Sequence, residues 1–254
     1  MKKEKIKLSA IINTCNSQEF LCETIEALHQ YIDEIVVIDN HSKDDTVDIV
    51  KEYKLKLVYC DKNEINNSLN VVIEELQNDW FILLNDNEII PYNLLCEIEK
   101  YILKPRKNKN CISLPTKTFY LNREVKSFKQ KASFKIFKKG FVENFKYDCF
   151  DLKLKSTKAV KLGKFKNNEF VYKYIKNDVL QNILFEFNKD KMKFKNQTSA
   201  SVFLKTISCF VYWFFIKGGI FDFKRGFILS FQKAVNEFLI QTTILENNFK
   251  KEEI

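Results

Sequence analysis

Three groups of polar residues in the first hundred positions have side chains suited to binding a ligand or a metal ion, and each group directly follows an apolar run. They are residues 14–16, 39–42 and 85–88. The third group holds two carboxylates, Asp86 and Glu88, which share one face of an extended strand because side chains alternate along it. Carboxylate oxygens are the ligands that hard divalent cations prefer, so this pair could hold such a cation.

Short apolar runs at residues 8–12, 35–38, 56–60 and 80–84 predict strands that are buried on both faces. Strands of this kind occur in parallel sheets whose connections are right-handed helices. The carboxyl ends of parallel strands share one edge, where such folds bind ligands. The three polar groups should therefore converge on one site.

Segments of helical periodicity lie between the strands. Apolar residues recur at helical spacing at Leu21, Ile25 and Leu28, at Val47, Val50 and Tyr53, and at Leu69, Val72, Ile73 and Leu76. Ser42 and Asp45, three residues apart, predict a capping box at the start of the second helix. The alternation predicts an α/β fold, a mostly parallel Rossmann-like sheet with helices on both faces.

Composition excludes several classes of protein. The 254 residues are 45% hydrophobic, enough for one large core or for one core with a smaller appendage. All five glycines lie at Gly140 or beyond, so the N-terminal half has no glycine-rich phosphate loop. Seven cysteines without a C-x-x-C pair, together with two histidines, favour neither a zinc site nor a disulfide scaffold. An odd number of cysteines fits a reducing cytosol, and we expect a cytoplasmic protein.

Charge divides unevenly along the chain. Residues 1–100 carry 10 basic and 20 acidic side chains, a balance of −10, whereas residues 101–254 carry 32 and 13, a balance of +19. The basic part suggests an anionic partner, which could be nucleic acid, an anionic membrane surface or a phosphorylated substrate. A genome of low G+C content would also enrich lysine, so composition leaves these alternatives open.

The C-terminal part carries two apolar stripes at helical spacing. They are Ile207, Phe210, Val211, Phe214 and Phe215, and then Phe227, Phe231, Ala234, Val235 and Phe238. We interpret both first as helices packed on the rest of the protein. The longest uncharged apolar run, residues 206–216, is predicted to be too short to span a bilayer. Because Lys205, Lys217, Lys224 and Arg225 flank the stripes, a shallow contact with an anionic membrane is the second interpretation.

Four segments together resemble family 2 glycosyltransferases of the nucleotide-sugar-binding GT-A type. Residues 9–16, SAIINTCN, resemble the opening strand that ends in T-x-N, and residues 34–46, EIVVIDNHSKDDT, resemble the E-I-V-V-V-D-S-x-S-x-D-x-T segment. Residues 67–70, NSLN, stand at the A-x-R-N helix start, and residues 79–88, DWFILLNDNE, at the strand that ends in L-D-x-D-E.

Two later segments resemble the lipopolysaccharide-core β-glycosyltransferase subgroup. Residues 133–140, SFKIFKKG, are similar to its R-L-F-R-x-G strand. Residues 212–227 are similar to its Y-x-x-x-G-F-x-D-G-x-x-G-F signature. The resemblance implies a GT-A catalytic domain over residues 1–158 and a basic, aromatic-rich helical region over residues 159–254.

The resemblance also implies a nucleotide-sugar site. Asp39 would accept a hydrogen bond from a pyrimidine N3–H, because a buried carboxylate needs a donor. Thr14 and Asn16 would contact the nucleoside, Asp86 the donor, and Asn70 would support the pocket. Leu69 stands where the family often has arginine.

The family holds a divalent cation, Mn²⁺ or Mg²⁺, with the aspartates of D-x-D, and here Asn85 and Asn87 replace both. An amide oxygen is a weaker ligand for such cations. Asp86 and Glu88 could take over as metal ligands in a shifted register. Lysine-assisted catalysis and lost activity are the alternatives.

The resemblance further implies a carboxylate base, which takes the acceptor hydroxyl proton in an inverting transfer. The subgroup has the glutamate of V-H-E, and here Asp151 falls at that position, with Phe150 in place of the histidine. Asp148 is the alternative base. Both aspartates could instead be hairpin carboxylates without a catalytic role.

The expected function is an inverting transfer of a hexose from a nucleotide-diphosphate sugar, UDP-linked, to a cell-surface glycan such as lipopolysaccharide core. The expected location is the cytoplasm, at the inner face of the membrane. A non-catalytic protein of the same fold that binds nucleotide or glycan is the alternative. Alternating lysines and aromatics over residues 160–200 could bind nucleic acid, but a solvated helix face explains them better, and no nucleic-acid partner is expected.

Overall fold

The computed structural model describes residues 5–60, 65–104, 110–128, 133–140, 145–148, 151–154, 160–161, 171–175 and 198–252. The chain divides into two compact units. The first comprises Met1–Lys117 and Gln130–Tyr174, and the second comprises Thr118–Lys129 and Ile175–Ile254. This division differs from a single boundary after residue 158, because the segment at 118–129 belongs with the C-terminal helices.

Strands and helices alternate through the first hundred residues and strands dominate the next seventy. The strands are β1 (Ile6–Thr14), β2 (Ile32–Asp39), β3 (Lys56–Tyr59), β4 (Trp80–Asn85), β5 (Glu88–Ile89), β6 (Cys111–Leu114), β7 (Thr116–Tyr120), β8 (Arg123–Glu124), β9 (Ser133–Lys138), β10 (Phe145–Asp148), β11 (Asp151–Leu154), β12 (Val160–Lys161) and β13 (Val171–Tyr174). The α-helices are α1 (Leu21–His29), α2 (Thr46–Glu52), α3 (Ile65–Glu75), α4 (Tyr92–Leu103), α5 (Ser199–Val211) and α6 (Phe223–Glu252).

The main sheet of the first unit has seven strands in the order β12-β6-β9-β4-β1-β2-β3. The strands β4, β1, β2 and β3 run parallel, and β9 runs antiparallel to its neighbours β4 and β6. β12 is parallel to β6. The predicted α/β fold with a mostly parallel sheet is therefore confirmed, with antiparallel pairing introduced by β9.

Two cores cover the two faces of this sheet. On β1, Ala10 and Ile12 belong to one core and Ile11 to the other, as expected for side chains that alternate along a strand. The first core takes the buried faces of α1 and α4, and the second takes that of α3. The predicted helices on both faces are present, and they hold the carboxyl edge of the sheet in place.

The second unit is built around a long helical hairpin. α5 begins at a capping box formed by Thr198 and Ser201. It continues through a π-helical segment (Tyr212–Ile216) and a 3₁₀ turn (Gly219–Asp222) into the 30-residue helix α6. The predicted helical C-terminal region is confirmed for residues 198–252. It is wrong at β12 and β13, which are strands within the predicted region of 159–254.

One helical stretch in the described part of the chain, Ser199–Ile216, is long and apolar enough to cross a membrane by length and composition. The uncharged run over residues 206–216 therefore understated the length of the apolar helix, because it began only after Lys205. A membrane-spanning segment tolerates one lysine. Val202 is the one buried residue of α5, so nearly all of this stretch is accessible.

Candidate active site

The three polar groups meet at the carboxyl edge of the main sheet. In the pairing of β1 with β2 and β4, Thr14 lies opposite Asp39 and Asn13 lies opposite Asn85. The Asp86 backbone N–H donates to the Asn13 carbonyl at 3.1 Å, which extends the pairing past the end of β4. The predicted convergence of the three groups is therefore present in the structure.

Asp39 is buried at the end of β2, and its carboxylate is bound by the loop that follows. Its two oxygens accept hydrogen bonds from the Ser42 backbone N–H at 2.9 Å and the Ser42 hydroxyl at 2.5 Å. His41 makes this tight turn with a left-handed backbone, φ 54°. The predicted capping box of Ser42 and Asp45 is wrong, because Ser42 turns back to Asp39 and Asp45 begins α2 without a side-chain cap bond.

Asp44, rather than Ser42, supplies the side chain that binds the first residue of α2. Its carboxylate accepts hydrogen bonds from the Thr46 backbone N–H at 3.2 Å and the Thr46 hydroxyl at 2.5 Å. It also accepts one from the Gln18 N–H at 3.1 Å. Partial burial raises the pKa of Asp44, but these hydrogen bonds outweigh it and the pKa is lowered overall.

Asn16 links the loops that follow β1 and β2. Its backbone N–H donates to the Ser42 hydroxyl at 2.8 Å, and its side-chain oxygen accepts from the Lys43 N–H at 2.7 Å. Asn16 has a positive φ of 46°, a conformation that asparagine tolerates better than most residues. The two loops therefore form one connected rim beside Asp39.

Thr14 and Asp86, both predicted to bind the nucleotide sugar, contact each other directly. The buried Asp86 carboxylate accepts hydrogen bonds from the Thr14 hydroxyl at 2.9 Å and the Cys15 backbone N–H at 3.2 Å. The Thr24 hydroxyl donates to the Asp86 carbonyl at 2.7 Å. These bonds fix Asp86 against the end of β1.

Glu88 is buried and is paired with two lysines, a contact that the sequence motifs do not predict. Its carboxylate pairs with Lys135 of β9 at 2.6 Å and with Lys173 of β13 at 3.7 Å, and it accepts from the Asn85 N–H at 2.9 Å. Burial raises the pKa of Glu88, but the two ammonium groups and the hydrogen bonds outweigh it, so the pKa is lowered. The one sequence signal was a lysine at position 135 inside an apolar strand.

The described residues at this edge do not fit a divalent cation as they stand. Glu88 is paired with both Lys135 and Lys173, so a cation at Glu88 would have to compete with two ammonium groups. The Asn87 side-chain amide donates to the Tyr174 carbonyl at 2.5 Å. No group of three or more His, Cys, Asp or Glu side chains in the described parts of the chain could hold a metal.

Three other predicted site residues lie on α3, β10 and β11. Asn70 is exposed on α3. Asp148 and Asp151 lie opposite each other in the antiparallel pair of β10 and β11. The side chains of these two aspartates lie outside the described part of the structure, so the identity of the base stays a prediction.

An aromatic pair that sequence reasoning missed stands beside Asp39. Tyr59, at the end of β3, lies opposite Asp39 in the strand register and is 55% exposed. The rings of His41 and Tyr59 are stacked, with centroids 6.2 Å apart and planes at 18°. Exposed flat rings next to a buried carboxylate offer a planar heterocycle both a stacking face and a hydrogen-bond acceptor. The signal in sequence was an aromatic residue directly at a strand end.

The fold and the edge define an α/β protein whose polar side chains gather at the carboxyl ends of parallel strands. The model of the glycosyl transferase family 2 matches residues 9–156. This chain belongs to that family.

Curated relatives are described as glycosyltransferases. A protein described as an uncharacterized glycosyltransferase of Rickettsia felis is 27% identical over 134 residues, which cover 50% of this chain and 45% of the relative. A glycosyltransferase of the same description from Rickettsia typhi is 28% identical over 123 residues, covering 46% and 40%. The match therefore spans less than half the length of these relatives.

Solved structures with a similar arrangement include TarS residues 1–349 of S. aureus, at 14% identity and a TM-score of 0.47, covering 95% of this chain and 92% of that one. Another is glucosyl-3-phosphoglycerate synthase of Mycobacterium tuberculosis with Mn²⁺, UDP and glucosyl-3-phosphoglycerate. It has 16% identity and a TM-score of 0.35, and covers 45% of this chain and 44% of that one. The same synthase was also solved with Mg²⁺ and UDP.

Proposed function

We propose that this chain is an inverting glycosyltransferase that moves a hexose from a UDP-linked sugar to a cell-surface glycan such as lipopolysaccharide core. One observation carries the proposal. In a chain of glycosyl transferase family 2, a buried carboxylate, Asp39, lies in register with Thr14 at the carboxyl edge of the parallel sheet. A uracil that binds at that edge would find the Asp39 carboxylate as a hydrogen-bond acceptor. Because this carboxylate is buried, leaving the imide N–H of the base without a partner there would cost free energy.

In this proposal the uracil ring lies in the rim formed by the loops after β1 and β2. Each Asp39 oxygen can accept a further hydrogen bond, so the carboxylate that already binds Ser42 has capacity for the uracil N3–H. The stacked rings of His41 and Tyr59 would support the face of the base. Asn16 would orient the ribose from the same rim.

The departing UDP carries negative charge that the protein must neutralise. Mn²⁺ or Mg²⁺ is the predicted cofactor, and a cation of this kind accompanies UDP in the synthase of Mycobacterium tuberculosis. Because Glu88 is already paired with Lys135 and Lys173, we derive no step through a metal ion here. Titration with UDP in the presence and absence of Mn²⁺ measures whether a cation strengthens UDP binding.

The acceptor hydroxyl must lose its proton as it attacks the anomeric carbon from the side opposite the leaving group. Asp151 is the proposed base, with Asp148 as the alternative. The lipopolysaccharide-core acceptor is supported by the similarity of residues 133–140 and 212–227 to the subgroup named above. A cytoplasmic enzyme at the inner face of the membrane would meet a lipid-linked acceptor there.

Isothermal titration of the purified chain with UDP, with and without Mn²⁺, tests the nucleotide site. We expect Asp39→Asn to weaken UDP binding by about tenfold or more, because a charged acceptor is lost. Asp44→Asn is the matched control, since it removes one charge from the same loop but leaves Asp39 and Ser42 in place. The proposed pocket would be contradicted if both variants lost UDP affinity equally, or if Asp39→Asn left UDP affinity unchanged.

A second candidate function is a nucleotide or glycan binder without turnover. It is favoured by the two amides Asn85 and Asn87 and by the closed ion pair of Glu88. Release of UDP from UDP-hexoses in the presence of lipopolysaccharide core separates the two candidates. An enzyme loses this release with Asp151→Ala, whereas a binder shows none in the unchanged chain while still binding UDP.

A further inference from the structure

The second unit exposes a large set of apolar side chains in one sequence stretch. Residues 203–231 include these six large side chains, all at least half exposed: Ile207, Phe215, Ile216, Phe221, Phe223 and Phe231. We call them and the residues between them the aromatic surface. Large exposed apolar patches on soluble proteins mark sites of interaction with proteins or membranes.

The 3₁₀ turn at the start of α6 forms a fixed apolar tip. The Asp222 carboxylate accepts hydrogen bonds from the Lys126 N–H at 3.1 Å and the Ser127 N–H at 3.0 Å. On either side of this anchor, Phe221 and Phe223 are each 80% exposed. Phe223 has a positive φ of 50°, an unfavourable conformation for a bulky residue that the surroundings impose.

Close packing beneath the tip holds it in this arrangement. A Cβ on Gly226 would lie 1.9 Å from the Gly219 carbonyl oxygen, so α6 and the 3₁₀ turn touch backbone to backbone. Arg225 donates to the Tyr120 and Leu121 carbonyls at 3.2 Å each. The two phenylalanines are therefore presented outward by a braced turn.

Basic residues border the aromatic surface, and acidic ones are nearly absent. Residues 199–233 contain five lysines and arginines but one acidic residue, Asp222, which is occupied within the unit. The exposed Lys217 ammonium lies 5.5 Å from the centroid of the Tyr212 ring, and Lys224 is exposed next to Phe223. Apolar side chains bordered by cations match the boundary between lipid headgroups and acyl chains of an anionic bilayer.

We propose that the aromatic surface binds an anionic lipid bilayer, with Phe221 and Phe223 inserted to the acyl-chain boundary and Lys217 and Lys224 at the headgroups. The binding is interfacial, and the helices lie along the membrane plane. The proposal deepens the proposed function only in bringing a lipid-linked acceptor near the enzyme. Lipid binding itself is measured without donor or acceptor.

The packing of α5 against α6 favours an interfacial position over a membrane-spanning one. Lys205 donates to the Gln241 side chain at 2.9 Å, and the rings of Phe203 and Phe238 lie 6.2 Å apart, so the two helices run side by side in opposite directions. α6 carries charged residues along its length, among them Lys233 and Glu237. If Ser199–Ile216 crossed the bilayer, α6 would have to enter the hydrocarbon with its charged residues or lose its contacts with α5.

Charge also favours lipid over a second copy of the chain. Two copies meeting through the aromatic surface would bring the same excess of lysine and arginine face to face, and like charges across an interface are costly. Anionic lipids instead offer the opposite charge over a continuous plane. Self-association is therefore an outcome that the experiment must be able to detect.

Co-sedimentation of the purified full chain with vesicles tests the proposal. We expect binding to phosphatidylglycerol-containing vesicles, at least about tenfold weaker binding to phosphatidylcholine alone, and loss of affinity with added salt. Replacing both tip residues, Phe221→Ser with Phe223→Ser, should weaken binding by about tenfold or more because two rings leave the bilayer. Phe249→Ser is the control for removal of an exposed ring, since Phe249 is 56% exposed but lies about 39 Å along α6 from the tip.

A second pair of variants tests the border. Lys217→Gln with Lys224→Gln should reduce binding to anionic vesicles about tenfold and flatten its salt dependence, while leaving binding to phosphatidylcholine unchanged. Circular dichroism checks that every variant is folded, which is expected because the altered side chains are exposed.

Three outcomes would overturn the proposal. One is absence of vesicle binding by the unchanged chain, or binding that the tip and control variants lower equally. Another is resistance of the bound protein to extraction by alkaline carbonate, which would mean a spanning segment. The third is a dimer, measured by light scattering, that becomes a monomer in Phe221→Ser. That result would mean that the aromatic surface binds a second copy of the chain. UDP titration is unaffected by any of these results, so failure here is distinct from failure of the proposed function.

Discussion

The two units differ in which side chains they bury and which they expose. At the carboxyl edge of the first unit, the charged groups of Asp39, Asp86 and Glu88 are buried and bound by donors or cations of the same unit. At the tip of the second unit, Phe221 and Phe223 are large and apolar and face outward. Burying charge and exposing hydrocarbon are both costly, so each arrangement points to a role in binding rather than in stability alone.

The comparison predicts that equal substitutions of phenylalanine have very unequal effects in the two units. Phe81 is fully buried on β4, with its ring centroid 5.5 Å from that of Phe137. Phe81→Ala should lower the free energy of unfolding by about 3–5 kcal/mol, because it leaves a cavity in the second core. Phe221→Ala, the matched change at the tip, should stay within about 0.5 kcal/mol. Urea unfolding of the three proteins measures both effects.

A large loss for Phe221→Ala would contradict the comparison. It would mean that the tip is buried in the folded protein and would weaken the case for a lipid-facing surface. Equal midpoints for Phe81→Ala and the unchanged chain would instead contradict the placement of Phe81 in the core.

The buried ion pair of the first unit gives the next effect. Lys135→Met leaves the Glu88 carboxylate without its closest cation, and should destabilise the fold by about 3–5 kcal/mol. Lys135→Met combined with Glu88→Gln should recover part of that loss, because the Glu88 carboxylate is then no longer a buried charge without its closest cation. Thermal or urea unfolding of the single and double variants measures this coupling.

The pH dependence of stability provides an independent check on the same pair. The pKa of Glu88 in the folded protein is lowered from its ordinary 4.5, so its contribution is fully present above that value and is lost as pH falls below it. Glu88→Gln should therefore flatten the fall in stability on the acid side of pH 4.5. An unchanged acid slope in Glu88→Gln would show that Glu88 does not hold a lowered pKa.

Glycine substitutions are expected to have the smallest effect on stability, and that effect should differ between Gly226 and Gly140. Gly226→Ala should cost about 1–3 kcal/mol, since its Cβ would lie 1.9 Å from the Gly219 carbonyl oxygen and the backbone must move. Gly140→Ala meets nothing within 4 Å of its new Cβ and should be nearly neutral. Unfolding midpoints separate the two, and a neutral Gly226→Ala would mean that the braced turn is loose.

Much of the first unit was predictable because its signals are local. Apolar runs and helical spacing are read within about ten residues, so the strands and helices through β4 followed from the pattern. The convergence of Thr14, Asp39 and Asp86 also followed, because parallel strands bring their carboxyl ends to one edge. The role of Ser42 did not follow, because a serine at a strand end can bond forward to a helix or back to the strand.

The amino-acid sequence alone is enough to predict the alternation of strands and helices, the polar edge, the family and the uneven charge. Packing in three dimensions is what pairs β9 antiparallel with β4 and brings Lys135 to Glu88, 47 residues away. It also decided that Phe221 and Phe223 face outward from a braced turn, whereas helical spacing indicates an apolar stripe without saying what covers it. The physical reason is that periodicity records a local preference for burial, while partners distant in sequence are set by the packing of the whole chain.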